Sequence, residues 1–168
     1  MVTMRGHLRL LDERIATLDR QFNELAKQSE SARRLMTIRG LGPITALAIV
    51  AAIGDGHDFK NGRQFAAWLG LTPRQYSSGG KTKLGRITKR GDRYIRTLLT
   101  LGARAVLQTA SRHNDRLSAW ALSVRSRRGW GKAIVAIAAK NARICWAVLT
   151  KGEDFKMQPV VAASPSAT

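Results

Sequence analysis

The sequence predicts an all-α protein in which a long N-terminal coiled-coil helix precedes a compact helical domain with a helix-hairpin-helix element. Three observations lead there. Leu8, Leu11, Ile15, Leu18, Phe22 and Leu25 alternate spacings of three and four, the a/d seam of a heptad repeat. Gly40-Leu41-Gly42-Pro43 forms a turn that runs into the apolar stretch Ile44–Ile53. Two later segments, 93–110 and 132–150, carry apolar stripes at helical spacing. The expected layout is a coiled-coil arm over residues 1–34, a helical domain over 35–151 and a disordered tail over 152–168.

The first helix is expected over residues 5–30, with Asp12, Glu13, Arg14, Asp19, Arg20 and Glu24 on the faces beside the seam. An amphipathic helix packed on its own domain would show a similar stripe. The period near 3.5 and the two charged flanks favour a coiled coil, and a coiled coil needs a partner, most simply a second copy of the chain. In the turn that follows, Pro43 suits the first position of a helix. The glycines can aim backbone N–H groups at a DNA phosphate, which makes Gly40 and Gly42 candidate binding residues. Such a contact reads no base sequence. A tight turn between packed helices would use the same residues.

Gly54–Phe59 reads as a turn-rich connection. Asp55, His57 and Asp58 sit there as solvated and capping groups rather than as a metal site. A short helix follows over 63–71, with Phe65, Ala66, Trp68 and Leu69 inward. Asp92 is placed to cap the helix from Arg93 to about Ala110, whose core side is Ile95, Leu98, Leu99, Gly102, Val106 and Leu107. Asn114 or Asp115 caps the next helix, with Leu117, Trp120, Ala121 and Val124 inside. Ser126–Gly131 is expected as a basic turn. In the last helix, 132–150, Lys132, Lys140 and Arg143 share an exposed face and Cys145 is a small core residue.

Composition narrows the partners. Twenty-nine Lys and Arg against eleven Asp and Glu give a net charge of +18, which points to a polyanion. The excess is uneven: residues 1–35 hold seven bases and five acids, whereas 74–96 hold eight and one, and 97–150 nine and one. The apolar runs 44–53 and 133–139 are too short to span a bilayer, the N-terminus lacks a secretory apolar core, and a single cysteine excludes an internal disulfide framework and a cysteine-based zinc site. The expectation is a cytoplasmic, nucleic-acid-binding protein with no membrane partner.

The stretch Tyr76–Asp92 concentrates the chemistry. Ser77 and Ser78 precede Gly79 and Gly80, and five cations follow before the first acid. It reads as a flexible, basic loop. A serine hydroxyl is a weak nucleophile without a base or a charge-stabilising environment. None of the three histidines lies near the serines in sequence, which argues against Ser-His-Asp hydrolysis. Lys81, Lys83, Arg86, Lys89, Arg90 and Arg93 suit phosphoryl chemistry, because they can stabilise charge on phosphorus oxygens. Transesterification at a DNA phosphodiester and simple hydrogen bonding to a bound phosphate both fit these residue types.

The run Ile38–Ala46, the segment Phe65–Pro73, the loop Tyr76–Lys81, the stretch Ile87–Arg96, and Lys132-Ala133 with the Ala139–Arg143 run together resemble the C-terminal transposase domain of the IS110 (IS116/IS110/IS902-type) insertion-sequence transposases. The resemblance covers about residues 35–150 with its motifs in order, and the heptad helix matches the family's coiled-coil linker. It implies that Ser78, directly before the loop glycine, is the catalytic serine, with Ser77 the lesser candidate. It also implies DNA as substrate, an element-encoded guide RNA as partner, and a covalent protein–DNA intermediate. Family members carry an N-terminal ribonuclease-H-like domain with four acidic metal ligands, which this chain is expected to lack. No cofactor is therefore expected in this chain, Mg belonging to that domain. The chain would be incomplete alone as a transposase, and the alternative is a non-catalytic, dimeric nucleic-acid-binding module.

Overall fold

The computed structural model describes residues 4–78 and 81–159. In chain order the elements are α1 (Met4–Gln28), α2 (Glu30–Met36), α3 (Pro43–Ile53), α4 (Gly62–Trp68), β1 (Pro73–Ser78), β2 (Lys81–Ile87), α5 (Arg93–Thr109), a 3-10 turn (Ala110–Arg112), α6 (Arg116–Arg128) and α7 (Trp130–Lys151). The fold is mostly helical, as the sequence predicts, with one small sheet that the reading of Tyr76–Asp92 as a loop did not anticipate.

The helix expected over 5–30 is interrupted at Ser29. That residue is extended, and its hydroxyl accepts a hydrogen bond from the Ala32 N–H at 3.3 Å, which starts α2 as a new helix. The end of α1 packs on α2 and α3, with Ala26 fully buried. The rest of α1 leaves the domain as an arm. Its 25 residues span about 37 Å. The heptad seam does not pack on its own domain: Leu8 and Ile15 are each 56% exposed, and Leu25 is 52%.

The core forms around α7, which packs against α2, α4, α5 and α6. Ala133, Ile137, Ala138, Ala142 and Cys145 of α7 are fully buried, and burial pushes the Cys145 thiol pKa up. By length and composition α7 is the one helix among those described that could cross a membrane. Its apolar side, however, is covered by the other helices. The basic turn expected over 126–131 is narrower than anticipated: α6 runs through Arg128 and only Gly129 separates it from α7. Trp68, expected inside, is 40% exposed and stands edge-on to Phe59, with ring centroids 5.7 Å apart. The indole N–H of Trp146 donates to the carbonyls of Gly56 and Phe59, tying the 54–61 connection to α7. In that connection the His57 N–H donates to the Asp55 carboxylate, a local turn contact.

Part of the stretch expected to be a disordered tail lies against the domain. The Phe155 N–H donates to the Thr37 hydroxyl at 2.9 Å, and Phe155 and Met157 pack on the core. Asp115 and Pro159 form a β-bridge. Residues 160–168 fall outside the described residues.

Candidate nucleic-acid interface

Strands β1 and β2 pair antiparallel, with Ser78 opposite Lys81, Ser77 opposite Thr82, Tyr76 opposite Lys83, and Pro73 opposite Ile87. Ser78 is thus the last residue of β1, next to Gly79 and Gly80, which lie outside the described residues. The side chains of Ser77, Ser78 and Lys81 are likewise not described. Tyr76 and Leu84 are 58% and 62% exposed, so the hairpin stands away from the core.

The base of the hairpin is fixed by backbone contacts. The Thr88 N–H donates to the Thr72 carbonyl at 2.9 Å, and the Lys89 N–H to that of Gly70 at 3.1 Å. Two glycines with positive φ allow this approach. A Cβ at Gly70 would lie 2.1 Å from the Arg90 carbonyl oxygen, and one at Gly91 would lie 1.8 Å from that of Trp68. Arg96 adds a hydrogen bond to the Leu69 carbonyl at 3.0 Å. Asp92 accepts from the Ile95 N–H at 2.8 Å and caps α5, so the helix begins directly where the hairpin ends.

Lys83, Arg86, Lys89, Arg90 and Arg93 are all exposed. Among the described residues none of their side chains forms an ion pair; the ion pairs are Glu24–Lys27, Glu30–Arg34 and Arg39–Asp115. Among the described residues these five cations therefore remain unpaired by carboxylates, with Asp92 the single acid at the hairpin's exit.

Gly40 and Gly42 lie elsewhere, in the α2–α3 turn. Gly40, at φ 88°, presses against α5: a Cβ there would meet the Val106 Cγ2 at 2.7 Å and the Gly102 carbonyl oxygen at 2.8 Å. Gly102 is nine residues into α5 from Arg93, so the turn lies about 14 Å along that helix from the hairpin's exit. Gly42 is exposed and begins α3, with Pro43 at the first helical position. A Cβ on Gly42 would meet nothing within 4 Å.

A polar network holds this turn. Arg39 Nη1 donates to Asp115 Oδ2 at 2.6 Å and Arg39 Nη2 to Ser118 Oγ at 2.9 Å. Ser118 donates to Asp115 through its N–H at 2.8 Å and its hydroxyl at 2.7 Å. The amide of Asn141, fully buried, donates to the Arg39 carbonyl at 3.1 Å. Burial works to raise the Asp115 pKa. The Ser118 N–H, the Ser118 hydroxyl and the Arg39 charge outweigh it and hold the carboxyl below its ordinary value. The sequence offers Asn114 or Asp115 as the helix cap, and the structure uses Asp115; the sequence holds no signal for Arg39, 76 residues away.

Lys132, Lys140 and Arg143 do not act alike. Lys132 and Arg143 are exposed, whereas Lys140 is partly buried, with its ammonium 4.3 Å from the Trp120 ring centroid. Burial first, then the like charges of Arg143 and Arg116, lower the Lys140 pKa. Among the described residues no three His, Cys, Asp or Glu side chains are grouped to hold a metal ion.

Residues 32–119 match the model of the Transposase IS116/IS110/IS902 family. A Pseudomonas aeruginosa protein named "Probable family 20 transposase" is 47% identical over 91% of this chain and 45% of its own length. The transposase for insertion sequence element IS1111A of Coxiella burnetii is 43% identical over 86% of this chain and 40% of its own. That for IS1328 of Yersinia enterocolitica is 38% identical over 92% and 46%. The chain thus spans less than half the length of these relatives.

Proposed function

The chain belongs to the IS116/IS110/IS902 family of insertion-sequence transposases, and from that premise we propose that its hairpin performs serine transesterification on DNA. The Ser78 hydroxyl oxygen bonds to a phosphodiester phosphorus as the bond from phosphorus to one deoxyribose oxygen breaks. The serine proton ends on the departing hydroxyl. Attack by a hydroxyl of a second strand reverses the step, joins new DNA ends and frees the serine. Lys81, Lys83, Arg86, Lys89, Arg90 and Arg93 hold the strand and stabilise charge on the phosphorus oxygens. The observation that carries the reading is the pairing of Ser78 with Lys81 at the end of an exposed hairpin whose described cations lack internal ion pairs.

A guide RNA from the element selects the DNA in this reading. The amides at the start of α3, beside Gly42, contact a backbone phosphate. The packing of Gly40 against Gly102 is enough to account for Gly40. The divalent metal, Mg, is assigned to the acidic ligands of the family's ribonuclease-H-like domain, and no step of the serine reaction is assigned to it.

The test is a denaturation-resistant protein–DNA adduct, formed with element-end DNA, a matching guide RNA and a metal-bearing ribonuclease-H-like domain. Ser78→Ala is expected to abolish the adduct and Ser77→Ala to retain it. An adduct that survives Ser78→Ala overturns the assignment.

A second reading is favoured by the exposed seam of α1: a dimeric nucleic-acid-binding module without serine chemistry. Both readings place a homo-oligomer at residues 5–30, since Leu8, Ile15 and Leu25 are each more than half exposed. Leu11→Asp with Leu18→Asp is expected to convert the oligomer to monomer in sedimentation, with the helical domain's melting temperature unchanged. An unchanged sedimentation coefficient would remove the coiled coil from the proposal. Formation of the oligomer but no adduct by the parent protein would favour the module.

A further inference from the structure

The Lys140–Trp120 pair lies in an open groove of about 580 Å³ between α6, α7 and the returning segment after Gly152. Its lining includes the apolar Ile144, Val148 and Phe155 together with Arg143, Lys151 and Lys156. Glu153 and Asp154 also line it, so the lining holds four bases, counting Lys140, against two acids. Neither acid forms an ion pair with any of these bases among the described residues. No described residue of β1 or β2 lines the groove.

Three features of this groove point to an anionic ligand with a flat apolar part. Lys140 is partly buried, yet its only described partner is an aromatic face. Its charged neighbours, Arg143 and Arg116, are of like sign and depress its pKa, as burial does. Placing a lysine there without a counter-anion costs free energy that a bound phosphate would return. The third feature is the Trp120 ring, partly buried and reached from the groove.

We propose that this groove is a second nucleic-acid site, for an unpaired strand: one base stacks on Trp120 while Lys140 and Arg143 take the flanking phosphates. The base and the ammonium compete for the same ring face. Stacking therefore displaces the Lys140 head outward, onto the phosphate. Bases stacked on aromatic side chains beside cationic grooves are the usual means of holding single strands without reading sequence. A duplex keeps its bases inside the stack and cannot use the ring. The proposal rests on the chain acting on nucleic acid, and not on Ser78.

The test uses the full chain and fluorescently labelled twelve-nucleotide probes: oligo(dT), oligo(U) and a DNA duplex of equal length, titrated by anisotropy at several salt concentrations. Lys140→Gln with Arg143→Gln is expected to weaken single-strand binding about tenfold and to reduce the salt slope by about 1.4, for two phosphate contacts. Trp120→Leu is expected to weaken it about fivefold or more with the slope kept. Both should spare the duplex. The larger loss, on oligo(dT) or on oligo(U), identifies the strand as DNA or RNA. Lys140→Arg should keep binding near that of the parent, and the duplex binding retained by the double variant guards against its misfolding. Lys83→Gln with Arg86→Gln on the hairpin provides the contrast. If that pair weakens binding while the groove variants stay within twofold of the parent and keep its slope, the groove proposal is overturned and the hairpin reading stands. Equal losses on single strand and duplex would overturn the stacking role of Trp120.

Discussion

Gly102→Ala is expected to lower the melting temperature by roughly 6–12 °C, although alanine is the better helix former. In the middle of an exposed helix the substitution would stabilise by about 1 kcal/mol. At Gly102 the new methyl would lie 1.8 Å from the Gly40 carbonyl oxygen and 2.9 Å from its carbon. Backbone cannot rotate aside as a side chain can, so the turn Ile38–Gly42 must move by more than an ångström or α5 must shift. Either movement pulls on Arg39, whose side chain is held by Asp115 and Ser118 and whose carbonyl is held by Asn141. Overpacking of this kind costs about 3 kcal/mol, or roughly 2–4 °C per kcal/mol in a chain of this size. Gly131→Ala is the control, since it lies in α7 with nothing within 4 Å of a Cβ. It should leave the melting temperature unchanged or raise it slightly. Thermal denaturation followed by circular dichroism measures both. A Gly102→Ala protein as stable as the parent would show that the close approach to Gly40 is not required.

Elements whose evidence is local were legible in the sequence. Pro43, Asp92 and Asp115 mark helix starts that the structure keeps, because a cap acts within three residues of itself. The heptad seam of α1 was legible as a periodicity, and its exposure agrees with a face made for something outside the domain. The hairpin reads as a loop in sequence because Gly79 and Gly80 signal a flexible backbone. Yet Tyr76, Thr82 and Ile87 are good strand residues, and two glycines between two short runs form a hairpin pattern. Exposed strands need no apolar alternation to reveal them. The α2–α3 turn was seen, but the reason for Gly40 was not, since Gly102 lies 62 residues further along. Arg39 with Asp115, and Trp120 with Lys140, were equally invisible. Each joins residues from different helices, and no spacing rule reports which helices will meet. At the candidate site the sequence supplied the serines, the cations and their order. It could not supply the backbone clamp of Gly70 and Gly91 that fixes the hairpin to α4.

Asp115→Ala is expected to cost about 3 kcal/mol at neutral pH, through two separable losses. The first is the cap of α6, where the Ser118 N–H loses its acceptor, at about 1 kcal/mol. The second is the counter-charge of Arg39, whose side chain is only 22% exposed. Removing one member of a buried pair leaves the other unpaired, which costs about 3–5 kcal/mol in full burial and about 2 kcal/mol when discounted for the solvent that reaches Arg39. Asp115→Asn keeps the cap and should recover roughly the first 1 kcal/mol. In a double-mutant cycle, adding Arg39→Met should relieve much of the second loss, because no unpaired charge is then left. The pH dependence follows from the direction of the Asp115 pKa. The carboxyl is held below its ordinary value of 3.8 in the folded protein, so the unfolded chain takes up a proton first as pH falls. Its contribution is complete above about pH 4 and is lost as pH falls through the folded-state value. The gap in melting temperature between parent and Asp115→Asn should therefore be widest at neutral pH and narrow toward pH 3. A gap independent of pH would mean that the Asp115 carboxylate charge is not what stabilises the network. Because Arg39 adjoins Gly40, the same variant also tests the phosphate contact proposed for the start of α3. If the network positions that contact, Asp115→Asn should weaken duplex DNA binding at temperatures where the protein remains folded.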